Sequence, residues 1–274
     1  MLHSEKLFKG FQGIGLFSQQ WLAASPIKKG NILAIHGLGE HSGRFTLAGE
    51  YFSQRGWSFY SYDLRGHGRS QGQRGYVDSW EVFRKDFEIF RKEIVLDEGP
   101  FFLTGHSLGG VIATDLSVHF PKLIKGLILE SPAFEPNIPS SFWVLAKFFN
   151  VIFPRFSRKL PLKPINKINS TFDEKPKDPL NHSKASARLG VEFKKTVEEI
   201  YENASKLLMP VILFHGHNDH LVSEQVSRDF LSTIGSQDKN LYEYENGDHE
   251  LFEAELAEEC FVKIENWLNP RNGE

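Results

Sequence analysis

The sequence contains one cysteine, Cys260, among its 274 residues. A single cysteine excludes a disulfide within the chain and argues against a metal site built from cysteine ligands. The sequence also lacks any apolar run of about 18 residues or more, the length that a membrane-spanning helix requires. The first residues include Lys6 and Lys9 and no continuous apolar stretch, so no signal peptide is predicted and a cytoplasmic location is expected.

Neither sign of charge dominates the chain. Its 32 lysines and arginines are balanced by 35 aspartates and glutamates, which gives a net charge of −3. Without a basic stripe there is no electrostatic basis for a nucleic-acid partner, and none is expected. Hydrophobic residues make up 40% of the chain, which is enough for a sizeable core and excludes a disordered protein. Nothing in the sequence indicates an oligomeric state.

Short apolar segments alternate with helical patterns along the first 130 residues. Strands are predicted at 31–35, 57–64, 101–104 and 126–130, and a hairpin at 5–24. The helical patterns between these strands include one at 80–96 with Phe83, Phe87 and Phe90 on one side. This order is typical of a parallel sheet that is covered by helices on both faces.

Residues 131–208 interrupt this order, and we call them the cap segment. They contain many prolines, no predicted strand and two predicted helices, at 142–153 and 186–207. The sheet pattern returns at 210–214. We therefore predict an α/β core formed by residues 1–130 and 209–274, with residues 131–208 as a helical cap over the C-terminal edge of the sheet.

A serine lies at the predicted turn between the strand at 101–104 and the helix after it. Gly105, Ser107 and Gly109 fit the G-x-S-x-G pattern of a nucleophile elbow, in which the serine projects from a sharp turn and side chains at the glycines would clash. The alternative is a chance match of a short motif. The strand before it and the helix after it favour the elbow, so Ser107 is the predicted nucleophile.

An acid and a base follow the serine in the chain order of an α/β-hydrolase triad. Asp219 follows a buried strand, and His249 lies in a turn between the last strand and the last helix. We predict Asp219 as the acid and His249 as the base. Asp248 is the alternative acid, but it is adjacent to His249 in sequence, which makes contact with the ring awkward. We expect His106, next to the serine, to point elsewhere.

Two further features concern the chemistry of this predicted site. The backbone N–H groups of Leu38 and Leu108 are the predicted oxyanion donors, because one lies in the loop after an early strand and the other follows the nucleophile. His215, His217 and His220 are close in sequence, but their spacing matches no zinc pattern. No metal site is therefore predicted.

Five segments together resemble motifs of the monoacylglycerol lipase / lysophospholipase family of α/β-hydrolases. They are HGLGEHSGR at 36–44, DLRGHGRSQG at 63–72, GHSLGG at 105–110, DHLV at 219–222 and GDHE at 247–250. Leu108 stands where methionine is commoner in the family, and no motif of the cap segment matches. The resemblance implies an α/β-hydrolase fold and hydrolysis of monoacylglycerols, lysophospholipids or other esters, without a cofactor.

The predicted helix at 142–153 is apolar nearly all round, with Lys147 and Asn150 as its only polar residues. Such a helix is buried on every side or lies against a non-aqueous neighbour. One interpretation wedges it between cap and sheet. The other makes it an acyl-chain funnel with Phe148 and Phe149 as substrate contacts, or a surface that touches a membrane transiently, with a peripheral location.

Glu40 and Arg44 also admit two interpretations. They contact the polar part of a substrate, or they form a salt bridge that fixes the oxyanion loop.

The leading functional prediction is a serine ester hydrolase for monoacylglycerols or similar small lipid esters. Lysophospholipase and general carboxylesterase activities are alternatives within the same chemistry. A proline-releasing serine aminopeptidase is another, and it would need cap carboxylates for a substrate amine, for which Glu192, Glu198, Glu199 and Glu202 are the candidates. A non-catalytic binding member of the fold is the last alternative, although such proteins usually lack a triad residue.

Overall fold

The computed structural model of the chain describes residues 2–25, 28–95, 98–159, 178–253 and 255–272. These residues form ten strands: β1 (Leu2–Lys9), β2 (Gly15–Leu22), β3 (Gly30–Ile35), β4 (Trp57–Tyr62), β5 (Phe101–His106), β6 (Ile124–Glu130), β7 (Ser157–Lys159), β8 (Lys184–Ser186), β9 (Val211–Gly216) and β10 (Lys239–Tyr244). They also form seven α-helices: α1 (Thr46–Ser53), α2 (Glu81–Glu93), α3 (Leu108–His119), α4 (Ser140–Ile152), α5 (Ala187–Asn203), α6 (Glu224–Thr233) and α7 (Ala257–Leu268).

Eight strands form one sheet in the order β1-β2-β4-β3-β5-β6-β9-β10. The six strands from β4 to β10 run parallel, and the β1–β2 hairpin joins β4 in antiparallel orientation at one edge. The predicted parallel sheet with an N-terminal hairpin is confirmed. The hairpin begins at Leu2, three residues earlier than predicted.

The central strands of the sheet are apolar because a hydrophobic core lies on each face of the sheet. In β3, Leu33 and Ile35 pack into the core under α2, α3 and α6, whereas Ile32 and Ala34 pack into the core under α1 and α7. Successive side chains of a strand point to opposite faces, so a strand that is covered on both sides is apolar at every position. Many of the phenylalanines fill these two cores.

The cap segment differs from its prediction in one respect. The expectation that it contains no strand is wrong, because β7 pairs antiparallel with β8. Each strand has only three residues and includes basic side chains, so neither produces an apolar or alternating pattern. The two predicted helices are present as α4 and α5. Residues 160–177 of the cap segment lie outside the described residues, and its assignment as a separate cap stays a prediction.

The parallel strands bring the predicted site residues to one edge of the sheet. The loop at 36–41 follows β3, Ser107 follows β5, Asp219 follows β9 and His249 follows β10. The carboxyl ends of parallel strands form the edge at which α/β sheets bind ligands. Within the described ranges, no helix is both long enough and apolar enough to cross a membrane.

Candidate active site

Ser107 lies at the turn between the end of β5 and the start of α3. Its φ is 51° and its ψ is −118°, a strained conformation for a residue with a side chain. A Cβ on Gly105 would lie 2.3 Å from the carbonyl oxygen of Gly109, and a Cβ on Gly109 would lie 2.0 Å from that of Ile35. Any larger residue at either glycine would displace backbone, which is the physical reason for the G-x-S-x-G pattern.

Asp219 and His249 are in contact. Nδ1 of His249 lies 2.6 Å from Oδ2 of Asp219, and both side chains are buried. Oδ1 of Asp219 accepts hydrogen bonds from the backbone N–H groups of Leu221 (2.8 Å) and Val222 (3.0 Å). Because an ionised carboxylate only accepts, Nδ1 of His249 carries a proton and Nε2 is the basic nitrogen. Asp248, the alternative acid, is exposed.

The electrostatics of this pair suit a general base. Burial favours the neutral form of Asp219, but hydrogen bonds from His215 and His249 outweigh it and lower the pKa of Asp219 below its ordinary value. Burial lowers the pKa of His249, and the contact with Asp219 outweighs it and raises that pKa overall. An ionised Asp219 at this distance would stabilise an imidazolium at His249.

His215 is a second neighbour of Asp219, and the sequence did not reveal this role. Its Nε2 lies 3.1 Å from Oδ2 of Asp219 and 3.0 Å from the carbonyl oxygen of Val222, and its Nδ1 lies 2.6 Å from Oγ of Ser227. The ring is fully buried in β9. His215 thus fixes the loop that carries Asp219, and its place in a buried strand just before that loop was the available signal.

The loop at 36–41, called the oxyanion loop below, lies against the serine. A Cβ on Gly37 would lie 3.2 Å from Cβ of Ser107. The Gly37 N–H donates a hydrogen bond to Oε2 of Glu40 (2.7 Å), which holds the loop in a tight turn. Leu38 and Leu108 line the same cavity as Ser107. The backbone of this loop is therefore close to Ser107.

Arg44 contacts three carboxylates beside this loop. Its Nε lies 2.6 Å from Oε1 of Glu253, and its Nη1 lies 3.4 Å from Oε2 of Glu40 and 3.5 Å from Oε2 of Glu130. Of the two interpretations of Glu40 and Arg44, the structure contains the salt bridge that fixes the loop. Both residues also line the cavity. Burial opposes the charge of Arg44, but the carboxylates outweigh it and raise its pKa, so the guanidinium stays charged.

Two glutamates that the sequence did not reveal adjoin His249. Glu130, at the end of β6, accepts hydrogen bonds through Oε1 from the backbone N–H groups of Leu251 (2.6 Å) and Phe252 (2.8 Å), so it holds the loop after His249. Glu250 lines the cavity, and burial, followed by the charge of Glu40, raises its pKa to about 8. Sequence alone could not identify Glu130, because its partners lie more than a hundred residues away.

His106 does not point away from the site as expected. Its ring centroid lies 4.7 Å from that of His249 in an edge-on arrangement, and its Nδ1 lies 3.2 Å from Oε2 of Glu130. Burial, followed by the charge of Arg44, lowers the pKa of His106 well below its ordinary value. The prediction was wrong because His106, the last residue of β5, directs its side chain toward the loop after β10, which carries His249. A neutral His106 packs against the His249 ring and supports it.

A cavity of about 1060 Å³ lies between the sheet edge and the cap segment, and both Ser107 and His249 line it. Glu40, Arg44 and Glu250 form part of its polar lining. Apolar side chains of the cap segment and nearby loops also line the cavity: Ile138, Phe142, Trp143, Leu189, Phe193 and Leu221. In this cap-side part, the rings of Trp143 and Phe193 stack with centroids 6.1 Å apart.

The predicted substrate contacts Phe148 and Phe149 lie elsewhere. The structure describes both, and neither lines this cavity, whereas Phe142 and Trp143 of the same helix do. Phe148 is 60% exposed, and the Phe149 ring packs against Phe148 and Phe156. The prediction chose the right helix but not the residues that line the cavity, because an almost uniformly apolar helix has no pattern that shows which positions are buried.

Comparison with known proteins identifies the family. The family model Hydrolase_4, described as serine aminopeptidase S33, matches residues 26–256. Monoglyceride lipase of Rattus norvegicus is 29% identical over 265 residues, which cover 93% of this chain and 87% of that protein. An uncharacterized abhydrolase domain-containing protein of Dictyostelium discoideum is 30% identical over 88% of this chain, but the chain spans only 26% of that protein.

A solved structure gives the same result at the level of the fold. The crystal structure of the monoacylglycerol lipase from Paleococcus ferrophilus has a TM-score of 0.82 and 31% sequence identity, and the match covers 92% of this chain and 98% of that one. The α/β-hydrolase fold and the resemblance to monoacylglycerol lipases are thereby confirmed. The chain belongs to the serine aminopeptidase S33 family, and it is a hydrolase of the α/β type.

Proposed function

We propose that the chain is a serine ester hydrolase that cleaves monoacylglycerols or related lipid monoesters through an acyl-enzyme. This proposal is carried by one observation. Ser107 and His249 line the same large cavity, which has polar and apolar walls, and His249 contacts Asp219 there. The names of the rat and Paleococcus relatives support the same substrate class. Nucleophile, base and oxyanion donors are all protein groups, so the reaction needs no cofactor.

In the proposed first half-reaction, Oγ of Ser107 attacks the ester carbonyl carbon while Nε2 of His249 takes the serine proton. Asp219 holds the imidazole through Nδ1 and stabilises its positive charge. The carbonyl oxygen becomes an oxyanion that accepts hydrogen bonds from the N–H groups of Leu38 and Leu108. When the tetrahedral intermediate collapses, His249 gives the proton to the alcohol oxygen, which leaves, and the acyl group stays on Ser107.

The second half-reaction repeats these roles with water. Nε2 of His249 takes a proton from a water molecule, whose oxygen attacks the acyl carbon. The second oxyanion uses the same two N–H groups. Collapse returns the proton to Oγ of Ser107 and releases the fatty acid, so the enzyme ends in its starting protonation state.

The walls of the cavity suggest how the substrate lies. The acyl chain is assigned to the side lined by Phe142, Trp143 and Phe193, because burial of each methylene there is favourable by about 0.8 kcal/mol. The alcohol is assigned to the polar side near Glu40 and Glu250. Hydroxyl groups both donate and accept, so they match a wall of carboxylates.

This polar wall favours an uncharged alcohol over a phosphate-bearing one. Glu40, Glu250 and Glu253 lie beside the catalytic histidine, and Arg44 is already paired with Glu40, Glu130 and Glu253. A phosphodiester at this place would face the carboxylates of Glu40 and Glu253, and the two described lysines of the cavity lining, Lys159 and Lys184, belong to the cap segment. The lysophospholipase alternative is therefore less favoured than monoacylglycerol hydrolysis.

Glu250 gives this discrimination a testable pH dependence. With its pKa raised to about 8, Glu250 is mostly neutral at pH 7 and becomes a carboxylate at pH 9. The preference for 1-oleoylglycerol over 1-oleoyl-lysophosphatidylglycerol is measured as a ratio of kcat/KM. This ratio should rise about tenfold from pH 7 to pH 9, because the new negative charge of Glu250 repels the nearby phosphate. In Glu250→Gln the ratio should stay nearly constant over the same pH range.

Glu245→Gln is the matched control, because Glu245 is exposed in the turn before His249 and should keep the pH dependence of the wild type. A ratio that falls as the pH rises would contradict the assignment of the alcohol to the Glu250 side. Prolyl amides and p-nitrophenyl esters belong in the same panel. Faster turnover of the prolyl amides than of 1-oleoylglycerol would overturn the proposed substrate class.

The aminopeptidase alternative was predicted to use four carboxylates of the cap segment. Glu192 accepts a hydrogen bond from the Trp80 N–H (2.9 Å), and Glu199 lies 3.7 Å from Nη2 of Arg84. Glu198 and Glu202 are exposed. These four described carboxylates are not in the cavity lining, so they do not present a site for a substrate amine there. A non-catalytic role is not favoured either, because the sequence has all three residues of the predicted triad and each follows a strand at the same sheet edge.

α4 carries an exposed apolar face that we assign to a lipid surface. Val151 is 82% exposed, Val144 71% and Phe148 60%. Phe153 and Phe156 beyond the helix are more than half exposed as well. An exposed apolar stripe of this kind is suited to the boundary between lipid headgroups and acyl chains. Transient contact with a membrane would thus bring the enzyme to its substrate.

Trp143 and Phe148 lie on the same helix, but Trp143 lines the acyl side of the cavity and Phe148 belongs to the exposed apolar face. Substitutions of these two residues therefore test the two proposed roles of α4 separately. Trp143→Ala should lower kcat/KM for 1-oleoylglycerol relative to a butyryl ester about tenfold, because it removes apolar lining from the acyl side of the cavity. Phe148→Ser should leave that ratio unchanged for monomeric substrates and reduce turnover of substrate presented in vesicles. Both roles would be contradicted if Phe148→Ser lowered the ratio for monomeric substrates and Trp143→Ala reduced only the turnover of substrate in vesicles.

A further inference from the structure

Residues 178–186 of the cap segment contact the oxyanion loop directly. The backbone N–H of His182 donates a hydrogen bond to the carbonyl oxygen of Gly39 (2.8 Å). Gly39 has a φ of 82°, and a Cβ there would lie 1.7 Å from the carbonyl oxygen of His182, so only glycine permits this approach. The contact is one residue beyond Leu38, the proposed oxyanion donor.

The side chain of His182 adds a second attachment. Its Nε2 lies 3.2 Å from the carbonyl oxygen of Gly66, and its Nδ1 accepts a hydrogen bond from the backbone N–H of Lys184 (3.1 Å). A carbonyl oxygen only accepts, so Nε2 carries the proton and the ring is neutral. Burial, followed by the charge of Arg74, lowers the pKa of His182 to about 4, so the ring is neutral near pH 7.

His182 is also the outer member of a row of three histidine rings. The ring centroids of His182 and His67 are 4.7 Å apart, and those of His67 and His36 are 5.2 Å apart. His36 accepts a hydrogen bond from the Leu64 N–H at Nε2 (3.0 Å) and donates from Nδ1 to the carbonyl oxygen of Gly37 (2.8 Å). The row therefore extends from the cap segment to the first turn of the oxyanion loop.

We propose that His182 is a positioning residue for the oxyanion hole. It holds the oxyanion loop on both sides of Leu38, at Gly39 through its backbone and at Gly37 through the row of rings. The inference rests on the proposed function, in which the Leu38 N–H binds the oxyanion. His182 acts through the loop and does not itself touch the reacting atoms.

The physical consequence concerns the transition state more than substrate binding. A hydrogen bond to an oxyanion weakens steeply when the donor moves or turns, whereas a ground-state ester carbonyl depends on it far less. Without the His182 ring, the oxyanion loop loses the row of rings on its Gly37 side and keeps only the Glu40 hydrogen bond there. The His182 backbone, which donates to Gly39, also loses its anchor at the Gly66 carbonyl oxygen. The Leu38 N–H should then be less well aimed when the oxyanion forms.

The test compares His182→Ala, His182→Gln and Gln73→Ala with the wild type. Glutamine can place an amide N–H near the Gly66 carbonyl oxygen, so it is the conservative replacement. Gln73 ties the cap segment to the core through exposed contacts with the Arg155 carbonyl oxygen (2.5 Å) and Oγ of Ser157 (3.1 Å), away from the oxyanion loop, so its loss controls for a general loosening of the cap. The measurements are kcat and KM for p-nitrophenyl butyrate and the inhibition constant of an alkyl trifluoromethyl ketone, whose serine adduct carries an oxyanion.

His182→Ala should lower kcat about tenfold with little change in KM, a smaller loss than the 10²-fold or more that follows removal of a whole oxyanion donor. The inhibition constant should rise by a similar factor, His182→Gln should recover most of the rate, and Gln73→Ala should resemble the wild type. Unchanged kcat in His182→Ala, or an equal loss in Gln73→Ala, would overturn the inference while leaving the proposed function intact. An inactive wild type would instead overturn the proposed function, and this inference with it.

Discussion

Replacement of Ser107 by alanine is expected to lower kcat/KM for 1-oleoylglycerol roughly 10⁴- to 10⁶-fold, the range found when the nucleophile of a serine hydrolase is removed. The physical reason is the loss of the only group that the proposed mechanism gives for attack on the acyl carbon. His249 and the oxyanion loop would remain, but they can only assist a poorly placed water molecule. Initial rates of glycerol release measure this effect.

Ser117→Ala is the control for this variant. Ser117 lies on α3, the helix that begins just after Ser107, and is buried, and its Oγ donates a hydrogen bond to the carbonyl oxygen of Ala113 (2.8 Å). The hydroxyl of Ser117 lies on the helix backbone rather than at the cavity, so activity should stay within about twofold of the wild type. A Ser107→Ala enzyme with more than about a tenth of the wild-type rate would rule out Ser107 as the nucleophile.

Asp219→Asn should have the second largest effect, with kcat lower by about 10⁴-fold. Oδ2 of Asp219 accepts a hydrogen bond from the protonated Nδ1 of His249 (2.6 Å). An amide at this place can present its own N–H to Nδ1, which moves the imidazole proton to Nε2 and removes the base. Steady-state rates with 1-oleoylglycerol test this directly, with thermal unfolding as a check that the variant is folded.

The same variant should change the pH profile in a defined direction. His249 acts as a base only when neutral, so kcat/KM rises with pH through the pKa of this residue. Asp219 raises that pKa, and its neutral replacement should therefore move the acid limb of the residual activity to lower pH. Asp248→Asn is the matched control, because Asp248 is exposed and should change neither rate nor profile. Loss of activity in Asp248→Asn but not in Asp219→Asn would reverse the assignment.

The elbow was predictable from sequence because its constraint is local. A serine at φ 51° between two glycines that tolerate no Cβ needs those residue types at those positions, whatever the rest of the chain does. The contact of His249 with Asp219 was predictable in a different way. Parallel strands place their following loops at one edge, so residues after β9 and β10 could be expected to meet.

Other parts of the site depend on contacts that leave no local pattern. Glu130 was assigned only to a strand, and its partners lie across the sheet edge in the loop after β10. The orientation of His106 depends on the packing of that same loop. A single polar residue in an apolar strand is the one sequence signal for residues that support the site in this way. The signal does not show which residues they contact.

The cap segment was the least predictable region for two physical reasons. On α4 almost every residue is apolar, so no pattern in the sequence favoured Trp143 over Phe148 as a lining residue. β7 and β8 are short and partly basic, and they pair with each other across residues that are distant in sequence. The strands of the core were easier because burial on both faces makes them apolar throughout.

The central claim is that Ser107 is the acylated nucleophile of a monoacylglycerol hydrolase, and covalent labelling tests it most directly. The wild-type protein is treated with a fluorophosphonate, with and without prior addition of excess 1-oleoylglycerol, and the modified peptide is identified by mass spectrometry. We predict one phosphonyl group on Ser107, slower labelling in the presence of 1-oleoylglycerol, and no labelling of Ser107→Ala. Absence of labelling in the wild type, or a label on another residue that persists in Ser107→Ala, would contradict the account.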